Sequence, residues 1–237
     1  MRASLLAVPL LIVAGCSGSS TTATPQPSTS VPLPTAGPTT EPPSPTPSPT
    51  PTATATATPA RAVPAAEGDV DGDGKRDVIQ PSATLLRVTL SSTGQVVTAP
   101  VHAEDPRPAA LLGTADIDRD GRAEVFLQTA QGASTQFATP YRFDGTSLKE
   151  LQLDGGPARL GIGGSVTHGD GFRCLPTGLL EVRQADSTDG TTFTVHASDY
   201  RISGTQLVLV SSRTGKGKQG TPSVESAYTA DCGTVGD

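Results

Sequence analysis

Residues 68–80 read GDVDGDGKRDVIQ, and residues 113–128 read GTADIDRDGRAEVFLQ. Both stretches contain the pattern D-x-D-x-D-G-x-x-[DE], and the second pattern begins 47 residues after the first. In each stretch an apolar pair directly follows the last acid, which predicts a tight acidic loop that leads into a strand. A repeat of this length, made of strands, predicts a modular antiparallel β-fold with one sheet unit per repeat.

The acids at alternate positions of such a loop can direct their oxygens at one point, as a hard cation such as Ca²⁺ requires. A glycine permits the bend, and the backbone carbonyl that follows it is a natural further ligand. The predicted ligands are Asp69, Asp71, Asp73, Lys75 and Asp77 in the first loop, and Asp116, Asp118, Asp120, Arg122 and Glu124 in the second. An EF-hand loop would end in a glutamate on a helix. Gln80 and Leu127 occupy that place here, so these are not EF-hand loops.

The negative charge of the chain is concentrated in these loops. From residue 62 onward there are 15 Lys and Arg against 22 Asp and Glu, and eight of the acids belong to the two loops. The remaining 14 acids nearly balance the 15 basic residues. Such concentration favours a bound cation. The alternative is a pair of Asp-Gly-rich turns that bind nothing, and the repetition argues against it.

The two loops resemble the calcium loops of FG-GAP or VCBS repeats, which are known from integrin-type β-propellers and many bacterial surface proteins. The resemblance implies bound calcium and a four-stranded blade for each repeat. About three repeats fit into residues 67–237, and the third, from about residue 161, lacks the acidic ladder. Three are too few for a closed propeller. The expected architecture is therefore a partial β-propeller, a compact β-sandwich, or a piece completed by oligomerisation.

Strand patterns dominate the rest of this part of the chain. Residues 141–148 (YRFDGTSL) and 200–207 (YRISGTQL) have the same layout, a Gly-containing turn between two short strands, and each predicts a hairpin. Residues 207–210 (LVLV) are apolar at every position, which predicts a strand covered on both faces. The sequence thus predicts an all-β domain of antiparallel strands.

The first residues, MRASLLAVPLLIVAGC, have a basic start, a short apolar run and small residues before a cysteine. This ending resembles the lipobox of bacterial lipoproteins, which implies a signal peptide over residues 1–15 and a lipid on Cys16. The alternative is an ordinary signal peptide with a chance cysteine. Residues 16–66 are rich in Pro, Thr and Ser, which predicts a disordered stalk. The domain is then expected outside the cytoplasm, held to the cell membrane by its N-terminal lipid.

Two further cysteines, Cys174 and Cys232, are expected to form a disulfide in an exported protein. The alternative is two free buried thiols. The disulfide would close a loop of 58 residues near the C-terminus.

The sequence offers no obvious catalytic constellation. The three histidines, His102, His168 and His196, form no metalloprotease motif, and there is no nucleophile elbow. The acidic balance argues against a nucleic-acid partner. We therefore expect a non-enzymatic recognition, adhesion or display module whose ligand is an extracellular protein or glycan. The alternative is a surface hydrolase, or a subunit of an extracellular enzyme complex, with structural calcium.

Overall fold

The computed structural model describes residues 67–104 and 109–236. The predicted signal peptide, the lipidation site at Cys16 and the predicted stalk lie outside the described residues. Within the described part, the chain forms fifteen strands and one four-residue helix. No helix in this part is long and apolar enough to cross a membrane.

The elements follow one another in the order β1 Val78–Pro81, β2 Leu85–Thr89, β3 Val96–Pro100, β4 Ala110–Ala115, β5 Glu124–Gln131, β6 Thr135–Phe143, β7 Leu148–Glu150, β8 Gln152–Leu153, β9 Gly156–Pro157, β10 Leu160–Gly164, β11 His168–Leu175, β12 Leu179–Asp186, β13 Thr192–Ser203, β14 Gln206–Lys218, α1 Pro222–Glu225 and β15 Ala230–Asp231.

The strands form two sheets. The small sheet has the order β1-β2-β3. The large sheet has the order β4-β5-β6-β10-β11-β12-β13-β14-β8-β9, with β7 paired to β6 and β15 paired to β11. All described pairings are antiparallel except β11–β15 and β8–β14. The predicted all-β, antiparallel class is confirmed.

The sheet boundaries do not coincide with the sequence repeats. The first repeat supplies a sheet of three strands, whereas strands of the later repeats share one ladder. The junction is the pairing of β6 with β10, in which Ala138 lies opposite Leu160. Because this pairing continues the ladder, the second and third repeats are not separate four-stranded sheets.

Two main cores lie on opposite faces of β5. Val125 and Leu127 pack with Leu86 and Val88 of the small sheet, while Phe126 packs with the second core, among Ala138, Leu160 and Phe172. Since successive side chains of a strand alternate between its faces, an apolar run such as that of β5 is buried on both. The strand that leaves the second acidic loop is therefore the most enclosed in the domain.

Both predicted hairpins are present. Phe143 pairs with Leu148 across the β6–β7 turn, and Ser203 pairs with Gln206 across the β13–β14 turn. The prediction that residues 207–210 form a covered strand is wrong. Leu207 is buried, but Leu209 and Val210 are 55% and 52% exposed. The reason is topological: β14 pairs with β13 along its length, and its other side pairs with β8 at a single residue, Gln206.

The predicted disulfide between Cys174 and Cys232 is also confirmed. It joins β11 to the C-terminal segment. This segment continues to Val235, which is buried in the second core.

Candidate metal centre

The acidic pattern forms two loops at the entrances of strands. We call residues 69–77, which lead into β1, the first acidic loop. Residues 116–124 connect β4 to β5, and we call them the second acidic loop. In both loops the first carboxylate accepts hydrogen bonds from the loop's own backbone.

The first acid of the first loop organises its turn. Asp69 is 2% exposed, and its Oδ1 accepts hydrogen bonds from the amides of Gly72 at 2.8 Å and Asp73 at 3.1 Å. Its Oδ2 accepts from the amide of Gly74 at 2.8 Å. Gly72 and Gly74 both have a φ of +84°, a conformation that favours glycine. The loop therefore needs its acids and glycines at these positions, because the chain folds around the carboxylate of Asp69.

The last acid closes the first loop and joins it to the small sheet. Asp77 is 4% exposed, and its Oδ2 accepts from the amides of Val70 at 2.7 Å and Asp71 at 3.2 Å. Its Oδ1 accepts from the amide of Ser91 at 2.6 Å. Oxygens of Asp69, Asp71 and Asp77 lie within 4.8 Å of one another. Asp73, also a predicted ligand, lies outside this group of three.

Two serines of the β2–β3 turn complete the first loop. The Ser91 hydroxyl donates to both oxygens of Asp73, at 3.0 and 2.9 Å, and the Ser92 hydroxyl donates to Asp71 Oδ2 at 2.5 Å. The sequence predicts neither serine as a partner, because both approach the acids only after β1 and β2 pair. The available signal was the polar SST turn, residues 91–93, one strand pair after the acids.

The second loop repeats this arrangement with one difference. Asp116 accepts from the amides of Asp120 and Gly121, both at 3.1 Å. Oxygens of Asp116, Asp118 and Asp120 lie within 4.8 Å of one another. Glu124, in the place of Asp77, accepts from the amide of Ile117 through Oε2 at 2.8 Å. It stays outside the group of three.

Buried oxygens of the second loop lack hydrogen-bond partners. Glu124 is fully buried, and among the described residues neither its Oε1 nor Asp118 Oδ1 has a hydrogen-bond partner. Burial raises the pKa of Glu124 well above its usual value, and the negative charge of Asp118 acts in the same direction. Burial and then the charge of Asp118 also raise the pKa of Asp120. The two buried oxygens without a donor and the raised pKa values leave room for further positive charge, so the residues present fit a bound cation.

An arginine already approaches this loop from β6. Arg142 donates from Nη1 to Asp118 Oδ2 and from Nη2 to Asp120 Oδ2, both at 2.5 Å. Its Nη1 is 3.9 Å from Glu124 Oε1. The sequence predicts Arg142 only as part of a hairpin. Its role depends on the pairing of β5 with β6, which local spacing does not reveal.

The two loops are in direct contact. The Ala123 amide donates to the Asp69 carbonyl at 2.7 Å, and the Gly68 amide donates to Thr114 Oγ1 at 3.0 Å. A Cβ added at Gly72 would lie 3.1 Å from the Gly121 carbonyl oxygen. Residues 68–77 and 113–124 therefore form one continuous acidic region.

The two predicted backbone ligands donate their amides to carboxylates of their own loops. The Lys75 amide donates to Asp73 Oδ1 at 2.8 Å, and the Arg122 amide donates to Asp120 Oδ1 at 2.9 Å. Coordination by their carbonyl oxygens stays a prediction.

The histidines lie away from these loops. His102 contacts Glu150, with 3.4 Å between Nδ1 and Oε2, and the neighbouring Glu104 pairs with Arg159 at 2.6 Å. His168 begins β11, and its ring contacts Asp186 and Asp170. His196 contacts the hydroxyl of Thr214.

No protein-family model, no curated protein and no solved structure matches this chain. Two groups of acidic side chains are placed to hold a metal ion.

Proposed function

We propose that this protein is a calcium-binding β domain, tethered by an N-terminal lipid outside the cytoplasm, that presents a recognition or adhesion surface. The observation that carries the calcium assignment is the second loop, where three carboxylates converge beside buried oxygens that lack partners. Ca²⁺ accepts many oxygen ligands in flexible geometry, which suits loops that combine carboxylates, hydroxyls and backbone carbonyls.

Calcium in this role would hold shape rather than perform chemistry. The first loop caps the small sheet through Asp77 and Ser91, and the second leads into the most enclosed strand, β5. Without a cation the acids within each loop repel one another, so both strand entrances lose stability. The lipid tether and stalk rest on the sequence alone, and the ligand would be an extracellular protein or glycan.

The test is thermal unfolding of the full chain in about 10 mM Ca²⁺, in the same concentration of Mg²⁺, and in chelator. Extracellular calcium modules often have dissociation constants of about 10⁻⁴–10⁻³ M. At a hundredfold excess over the dissociation constant, each occupied site adds about 2.7 kcal/mol. We expect a clear rise in melting temperature with Ca²⁺ and a smaller rise with Mg²⁺, which demands stricter geometry.

The matched variant carries Asp71→Asn and Asp118→Asn, which keep side-chain shape and remove one charge from each loop. Its melting temperature should respond weakly to Ca²⁺. The control is Asp154→Asn, in an exposed turn, which should respond as the wild type does. Equal melting temperatures of the wild type in Ca²⁺ and chelator would rule out the proposal.

A further inference from the structure

A cavity of about 190 Å³ lies at the far end of the large sheet, away from the acidic loops. Its lining includes the side chains of Arg183 and Arg213, an apolar wall of Val195 and Ala197, and Ser223 near α1. No acidic residue of the described chain lines it. In a chain with a net charge of −6, a cavity bordered by two arginines is a distinct electrostatic environment.

The strand register places the two arginines on one face. Arg183 of β12 lies opposite Ala197 of β13, and Ala197 lies opposite Arg213 of β14. Directly opposed residues of paired strands project on the same side of the sheet. The small side chain of Ala197 lies between the two arginines in this row and lines the cavity.

Two carboxylates hold these arginines from the neighbouring row. Glu181 lies opposite Asp199, and neither lines the cavity. Glu181 is fully buried and bonds Arg173 at 2.7 Å, as well as Arg183 and Arg213. Asp199 Oδ2 accepts from Arg213 Nη1 at 3.0 Å. The acids thus fix the orientation of the arginines without occupying the cavity.

The positive charge of this group is only partly compensated. Three arginines share the two carboxylates Glu181 and Asp199. Burial lowers the pKa of Arg183, and the positive charge of Arg173 acts in the same direction. Among the described residues, Arg183 Nη2 and Arg213 Nε donate no hydrogen bond. These two nitrogens are therefore available as positively charged donors beside the cavity.

We propose that this cavity binds a phosphate group. Each of the two arginines keeps one donor nitrogen, Arg183 Nη2 and Arg213 Nε, and charged donors from two strands match the several oxygens of a tetrahedral anion. A planar carboxylate has only two oxygens to share between them. The site is independent of calcium, because none of its residues belongs to the acidic loops.

The experiment titrates the full chain with inorganic phosphate in calcium-free buffer of low ionic strength, measured by calorimetry and by the NMR signals of arginine Nε–H. Acetate at equal ionic strength is the planar comparison. We expect saturable phosphate binding that moves the Arg183 and Arg213 signals, and at least tenfold weaker acetate binding.

Two variants test the geometry. Arg213→Gln should weaken phosphate binding at least tenfold, and Arg213→Lys, which keeps the charge but loses the Nε donor, should weaken it severalfold. Glu181 keeps Arg173 and Arg183 in both variants, and circular dichroism checks their folding. If Arg213→Gln does not fold, Arg213→Lys carries the test.

The matched control is Arg201→Gln, an exposed arginine elsewhere on β13, which should bind phosphate within about twofold of the wild type. Absence of saturable binding would overturn the proposal. Equal losses of phosphate affinity in Arg201→Gln and Arg213→Gln would show that only the overall charge matters, and would also overturn the proposal. Acetate binding as tight as phosphate binding would overturn it as well.

Discussion

Arg142 makes the two acidic loops chemically different. In the second loop its guanidinium bonds Asp118 and Asp120, whereas the corresponding acids of the first loop receive neutral hydroxyl donors from Ser91 and Ser92. A cation entering the second loop therefore meets a resident positive charge. We expect the first loop to bind Ca²⁺ more tightly, although the two motifs are nearly the same.

Replacing Arg142 with Gln should strengthen calcium binding at the second loop by roughly tenfold, which corresponds to about 1.4 kcal/mol. The same change should lower the melting temperature in chelator, because the acids lose their internal counter-ion. Calorimetric titration with Ca²⁺ measures both sites. Arg201→Gln is the control, since Arg201 follows the tyrosine of the second hairpin as Arg142 does in the first. Unchanged calcium affinity in Arg142→Gln would contradict this prediction.

His168 lies between two carboxylates, with Nδ1 2.7 Å from Asp186 and Nε2 2.9 Å from Asp170. The hydrogen bond to Asp186 raises the pKa of His168 above its usual 6.5, and the charge of Asp170 adds to the effect. The stability from this contact is complete below about pH 6.5 and is lost as pH rises through the folded-state pKa.

His168→Gln should therefore destabilise the protein at pH 5.5 by up to about 1 kcal/mol, as expected for an exposed ion pair, and by less at pH 8.5. Denaturant unfolding at both pH values measures the difference. His196→Gln is the control, because among the described residues the His196 ring has a hydrogen bond only with the hydroxyl of Thr214. If His168→Gln lowers the free energy of unfolding by the same amount at both pH values, the charged imidazolium of His168 contributes nothing to stability.

The sequence reveals acids better than their partners. Asp69 and Asp77 bond amides within a few positions along the chain, so their spacing carries the information. Ser91 and Arg142 reach the acids only because strands pair, 18 and 24 residues away from Asp73 and Asp118. The motif determines how the backbone folds around a carboxylate. Strand pairing determines which side chain donates a hydrogen bond to that carboxylate.

At the scale of the element, β14 shows why an apolar run is a poor guide to position in a sheet. Residues 207–210 are as apolar as a central strand, yet Leu209 and Val210 are exposed. A register shift opposite Asp199 and Tyr200 interrupts the ladder there, and few residues pair on the outer side of β14. An apolar run predicts that a segment is a strand. Which strands lie on either side of it depends on pairing with segments that are distant in sequence.

The strands that leave the two acidic loops offer a matched comparison. Val78 and Val125 follow the last acid of their loops and align in the repeat, but Val78 is 55% exposed and Val125 is fully buried. Val125→Ala should cost about 2–3 kcal/mol, from lost burial and the cavity that is left. Val78→Ala should change stability by less than about 0.5 kcal/mol.

Denaturant unfolding of both variants in Ca²⁺ measures this difference. Because the substitution and the motif position are the same, each variant is the control of the other. If both variants lose a similar free energy of unfolding, β1 and β5 are equally enclosed, which would contradict the structure.

At the scale of the whole molecule, the C-terminus and both acidic loops meet at Thr114, the residue before the last in β4. Its Oγ1 accepts from the Gly68 amide at the start of the first loop, at 3.0 Å. Its own amide donates to Thr234 Oγ1 at 3.0 Å, and Thr234 lies two residues after the disulfide-bonded Cys232. The second loop begins only two residues later, at Asp116. The disulfide therefore anchors the segment that supports both loops.

Removing the disulfide by Cys174→Ala and Cys232→Ala should lower stability by up to about 4 kcal/mol, the chain-entropy value for a loop of this length. It should also reduce the stabilisation by Ca²⁺, by about 0.5–1 kcal/mol, because coupled sites do not add independently. Phe193→Leu, in the separate cluster beside α1, is the control that lowers stability without touching Thr114. If calcium stabilises both variants as much as the wild type, the disulfide protects only the C-terminus. A smaller calcium effect in the Ala pair alone would show that the disulfide supports the two acidic loops.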